Sequence, residues 1–178
     1  MTGRLLIAGV GNIFLSDDGF GVEVARRLSE QQLPDWVQVT DYGIRGMHLA
    51  YDLAGGFEAA ILVDATQRGA EPGTVYVIEP ELPESQSGPP DIESLASNPM
   101  FNAHGMQPDV VFRMLAMLGE QVKDVLVVGC EPATVDYGMG LSEPVAAAVD
   151  EAVKVVLELV ALADADTKEW AHVPRHSG

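Results

Sequence analysis

The stretch GVGNIFLSDDGFG, residues 9–21, decides how this chain is read. It follows an apolar run, LLIAGVG (5–11), of the kind that forms a strand buried on both faces. Beyond it Phe20, Val24 and Leu28 recur every four positions, with Arg26, Arg27 and Glu30 on the other side. That spacing predicts an amphipathic helix to about Leu33, closed by Pro34. The quoted stretch is therefore a strand-to-helix turn. Glycine-rich turns of this type often cradle phosphate on free amides. Here Phe14 stands where a dinucleotide fingerprint has its third glycine, and Asp17 and Asp18 open the helix, where they would repel a pyrophosphate. The side-chain oxygens of Ser16, Asp17 and Asp18 are instead placed to cap the helix start, which favours negative charge.

The pattern continues outward. WVQVTDYG (36–43) alternates like a strand, and a short helix is expected from about Met47 to Gly55-Gly56. AAILVDA (59–65) is an apolar run ending in an acid, as in a central parallel strand. GTVYVIEP (73–80) reads as a further strand after a Pro-Gly turn. Residues 81–102, rich in Pro, Ser, Gly and Glu, read as a long loop able to act as a flap. Pro108 suits the first turn of a helix through Val111, Phe112, Leu115 and Leu118. DVLVVGC (124–130) is a strand, and residues 141–163 a long helix with Ser142 at its N-cap. Strands alternating with helices predict an α/β fold: one domain, residues 1–163, with a twisted, mainly parallel five-stranded sheet covered by helices on both faces. Residues 164–178 read as a polar, frayed C-terminal tail.

Composition narrows the function. The chain has 178 residues, 27 acidic against 10 basic, and a net charge of −17. Such a surface repels nucleic acid and anionic lipid and suits a cationic or metal-bearing partner, although acidity also serves solubility. No apolar run nears the roughly 20 residues that span a bilayer. The first residues read as a core strand, not a signal peptide, so a cytoplasmic protein is expected. The single cysteine, Cys130, follows a buried strand and reads as a small core residue; one cysteine excludes an internal disulfide and a multi-cysteine metal cluster. The chain shows neither a P-loop nor a G-x-S-x-G nucleophile elbow.

In open α/β sheets ligands bind outside the carboxyl ends of the strands. The polar residues just past those ends are Asn12, Asp17 and Asp18; Asp41 and Arg45; Asp64, Thr66 and Gln67; and Glu131, with His104 before the helix that starts at Pro108. Taken singly, each has a structural reading: a helix cap, an acceptor for backbone amides, a solvated imidazole. Together, Asp18, Asp64 and His104 are able to converge on one edge. Two carboxylates and an imidazole suit a divalent transition ion with open coordination positions, or a base beside a water. Spacing does not choose between these roles.

GVGNIFLSDDGFGVEVARRL resembles the opening of the nickel–iron hydrogenase maturation endopeptidases, and the likeness continues in order through DYGIRGMHLAYDL, ILVDA, His104 and VVGCEPATVDYGMGLSEPV, over residues 4–160. The resemblance implies a peptidase, aspartic-type by family, that removes the C-terminal extension of a hydrogenase large-subunit precursor once nickel is inserted. It implies no permanently bound cofactor: the nickel comes with the substrate, although another divalent ion could fill the site. It maps the family's metal contacts onto Asp18, Asp64 and His104, with Asp18 and Asp64 catalytic. It also implies a single precursor partner and a monomer. The family's usual D-G-G-T-x-G reads here Asp41-Tyr42-Gly43-Ile44-Arg45-Gly46. Asp41, Gly43 and Gly46 fit, whereas Ile44 replaces the threonine and Arg45 adds a charge in what is expected to be a substrate-facing loop. The alternatives are a self-sufficient metallohydrolase on a small substrate, a non-cleaving nickel-sensing chaperone, and a nucleotide-binding module.

Overall fold

In the computed structural model, which describes residues 3–80, 108–117 and 122–164, the apolar runs become strands β1 (Arg4–Val10), β2 (Val37–Gly43), β3 (Phe57–Ala65), β4 (Val75–Ile78) and β5 (Asp124–Cys130). Between them lie helices α1 (Phe20–Ser29), α2 (Gly46–Ala54), α3 (Pro108–Met117) and α4 (Glu143–Asp164). The strands form one sheet in the order β2-β1-β3-β5-β4. β1 pairs in parallel with β2 and β3, and β3 with β5, while β4 runs antiparallel along the outer side of β5.

The apolar runs have no polar face because both faces are covered. Leu5 and Ile7 of β1, Ile61 and Val63 of β3, and Leu126 and Val128 of β5 pack with α1 and α4 on one side. Leu6, Ala8 and Val10, Leu62, and Val125 and Val127 pack with α2 and α3 on the other. Within α1 the four-residue spacing does what it predicts: Phe20, Val24 and Leu28 are fully buried. Each such side chain contributes about 2 kcal/mol of burial energy.

Several boundaries differ from expectation, and β4 spans Val75–Ile78 rather than 73–80. α1 ends at Ser29 rather than Leu33, its last turn closed by the Glu30 amide bonding back to Arg27 and Leu28. The helix is also preceded by a separate 3₁₀ turn, Ser16–Gly19, and neither start carries a side-chain cap, so Ser16, Asp17 and Asp18 are not caps. The last helix begins at Glu143, and the Ser142 hydroxyl donates to Asp17. The flap expected at 81–102, Leu118 and the tail beyond Asp164 lie outside the described residues.

The glycines of the opening stretch serve close packing. A Cβ on Gly21 would lie 2.0 Å from the Val63 carbonyl oxygen and 2.4 Å from that of Val10. α1 thus rests directly on the backbones of β1 and β3 at its first turn. Gly11 has φ of 131°, and a Cβ there would lie 1.8 Å from the Asp18 carbonyl oxygen. Only glycine allows the chain to turn back at this point.

Candidate active site

From β1 the chain crosses to β2 on one side and then returns to β3 on the other. The carboxyl ends of β1 and β3 are therefore the switch point of the sheet, where an open α/β fold leaves a crevice. Asp64 is the penultimate residue of β3, and Asp18 lies in the 3₁₀ turn after β1. The topology brings these two sequence-predicted carboxylates to the same crevice.

Their surroundings differ. Asp18 is half-buried, and its Oδ2 accepts the Asn12 amide at 2.7 Å, which orients the carboxylate across the turn. Asp64 is buried at the end of a central strand. Burial pushes its carboxyl well above the usual value, and the Asp18 charge pushes it further, opposed only in part by the Ala65 amide. Among the described residues neither carboxylate has an ion-pair partner. Two adjacent carboxylates in a crevice, one buried, are short of positive charge. The pair can accept a cation brought from outside, or hold a proton and exchange it with a water.

The other predicted residues take varied places. His104 lies outside the described residues. Among the described residues no group of three or more His, Cys, Asp or Glu could hold a metal ion, so the described part of the trio is the pair Asp18 and Asp64. The Asp41–Gly46 loop reaches the same edge because the Gly11 amide donates to the Gly43 carbonyl at 3.0 Å. Gly43 itself has φ of 53°. Arg45 is exposed, and its guanidinium donates to the Asp41 and Tyr42 carbonyl oxygens, which braces the loop. Gly46 is buried as the first residue of α2, while Asp41 and Ile44 are exposed.

Two acids gathered with the strand ends are structural clamps. Asp17 is fully buried, and its carboxylate accepts the amides of Ala133, Thr134 and Ser142 and the Ser142 hydroxyl. Burial alone would raise its pKa, but these donors outweigh it and hold the carboxyl below the usual value. Glu131, also buried, accepts the Arg68 and Gly69 amides and the Tyr76 hydroxyl, which likewise overcome burial and lower its pKa. Cys130 is a buried free thiol, as expected, and burial raises its pKa to about 12. No helix among the described residues is long and apolar enough to cross a membrane.

The sequence and the fold have known counterparts. A family model described as hydrogenase maturation protease matches residues 22–159. A Methanocaldococcus jannaschii protein, named among the hydrogenase maturation proteases, is 37% identical over 158 residues, covering 86% of this chain and 94% of its own length. The hydrogenase 2 maturation protease of Escherichia coli is 30% identical over 155 residues, 86% of this chain and 88% of that protein. The structure of the hydrogenase maturating endopeptidase from Escherichia coli superposes with a TM-score of 0.66 at 28% identity, covering 92% of this chain and 94% of that one.

Proposed function

The chain belongs to the hydrogenase maturation protease family, and we propose that it is the endopeptidase that removes the C-terminal extension of one nickel-loaded hydrogenase large-subunit precursor. The observation that carries this reading is the pairing of Asp18 with buried Asp64 at the switch point, two carboxylates with no cation of their own among the described residues. The nickel belongs to the substrate. The precursor docks so that its nickel centre meets Asp18, Asp64 and His104, and docking fixes the scissile bond by proximity. An aspartic-type water attack follows. Asp64, whose carboxyl keeps its proton to higher pH than an ordinary aspartate, is suited to exchange a proton with the attacking water. In this reading the chain acts in the cytoplasm as a monomer and keeps no resident cofactor.

The test is a gel-shift cleavage assay on a precursor with and without nickel. Shortening of the loaded form alone is the expected result. Shortening of both forms would remove nickel from recognition, and stable binding without shortening would make the protein a chaperone. Asp18→Asn, which retains an acceptor for the Asn12 amide, is expected to fold and to lose cleavage. Wild-type rates in this variant would exclude Asp18 from the reaction.

A further inference from the structure

The loop between β5 and α4 combines two properties that seldom occur together. Its side chains are exposed, with Tyr137 at 93% and Met139 at 75% of full accessibility, beside exposed Val135. Its backbone is nevertheless fixed to the turn that bears Asp18. Both Asp17 carboxylate oxygens are spent on Ala133, Thr134 and Ser142. The Asp17 amide donates to the Thr134 carbonyl, the Ser16 amide to the Gly138 carbonyl, and the Gly138 amide to the Phe14 carbonyl, at 3.2, 2.9 and 3.0 Å. The Ser16 hydroxyl bonds the Asp136 carbonyl at 3.0 Å, and Ser16 holds a left-handed φ of 50°.

A non-glycine residue in that conformation costs energy that the surrounding bonds must offset. An exposed polar loop would gain little from being held so firmly. An apolar loop that contacts a partner gains much, because rigid anchors lose little conformational entropy on binding. Gly138, between Tyr137 and Met139, is bonded to Phe14 and Ser16, two residues short of Asp18. Tyr137 and Met139 therefore stand on a segment fixed beside the turn that carries Asp18, where a protein surface brought to that carboxylate can reach them. A small substrate reaching the same carboxylates would not need them.

We propose that the 133–142 loop is the specificity-determining surface of the site: Tyr137 and Met139 seat an apolar patch of the precursor protein beside Asp18, and Asp17 is the positioning residue that holds the loop there. This rests on the function proposed above. The test is steady-state cleavage of the nickel-loaded large-subunit precursor from the same organism, by wild type, by the Tyr137→Ala/Met139→Ala double variant and by Asp17→Asn. The double variant is expected to keep the wild-type melting temperature and circular dichroism, to raise KM about tenfold, and to lower kcat by less than about threefold. A KM within about twofold of wild type overturns the proposal. Asp17→Asn is expected to raise KM in the same direction, and a lowered kcat at unchanged KM would place Asp17 in the chemistry instead. If Asp17→Asn does not fold, the double variant decides alone. Should wild type cleave nothing, calorimetric binding of the same precursor separates the two ideas. Binding weakened about tenfold in the double variant supports the loop without the protease, and equal binding overturns it.

Discussion

Asp17 and Ser142 meet twice across 125 residues of chain: the Ser142 amide donates to Asp17 Oδ1 at 2.6 Å and the Ser142 hydroxyl to Oδ2 at 2.9 Å. With the Ala133 and Thr134 amides, the fully buried carboxylate gathers four donors. Replacing Asp17 by alanine removes four hydrogen bonds to a charged acceptor at once, and bonds to charged groups are worth more than neutral ones. Asp17→Ala is expected to lose about 3 kcal/mol of stability, measured by urea unfolding. A loss within experimental error of zero would mean that the loop finds other acceptors.

Asp17 also marks where sequence reading stops. Elements were legible from periodicity because each is a local pattern: the continuous runs of β1, β3 and β5, and the four-residue spacing of α1. The strand-end rule found Asp18 and Asp64 because topology, not side-chain packing, brings them together. Beside Asp18 in the sequence, Asp17 read equally well as a helix cap. Its partners are more than a hundred positions away, and no local spacing names them. Arg45 shows the same limit, since no local spacing says that its guanidinium donates to the carbonyls of Asp41 and Tyr42. The β4 direction was equally hidden: pairing with β5 depends on a neighbour reached only after α3.

Gly21 offers a stringent test of the fold. Its α-carbon faces two backbone oxygens, which cannot rotate away as a side chain could. Gly21→Ala must lift α1 from β1 and β3, opening the packing around Phe20 and Val24. Overpacking of this kind costs about 3 kcal/mol. The expected outcome is a large drop in melting temperature, or insoluble protein. Gly69, whose added Cβ would meet nothing within 4 Å but whose φ is 85°, is a control in which only backbone strain operates.

Glu131 supplies the pH dependence. Its folded pKa lies below the ordinary 4.5, since the Tyr76 hydroxyl and the Arg68 and Gly69 amides outweigh burial. A depressed carboxyl stabilises the fold above its unfolded pKa, and that stabilisation is lost as pH falls through the folded value. Glu131→Gln is expected to melt roughly 5 °C lower than wild type at pH 7. The gap should close as pH falls below the ordinary 4.5 and on through the lowered folded value. Thermal melts across this range check the sign. A gap that widens in acid would mean that Glu131 is stabilising as the protonated acid.

Asp64 has the opposite sign, and this links stability to the site. Burial and the Asp18 charge raise its pKa well above 3.8. Such a group favours the fold while protonated, and the stability it contributes is lost as pH rises through its folded pKa. Above the ordinary aspartate range the fold thus bears the cost of withdrawing this carboxyl from water beside the Asp18 charge. Asp64→Asn removes that cost, so it is expected to melt above wild type at pH 7, with the difference shrinking as pH is lowered toward 4. The same variant should lose cleavage by about a hundredfold or more, because the amide neither exchanges the proton nor meets a cation with charge. A variant both more stable and inactive would identify Asp64 as a residue kept at the expense of the fold. A variant less stable at every pH would show that its carboxylate is needed for packing, and the cation reading of the pair would lose its main support.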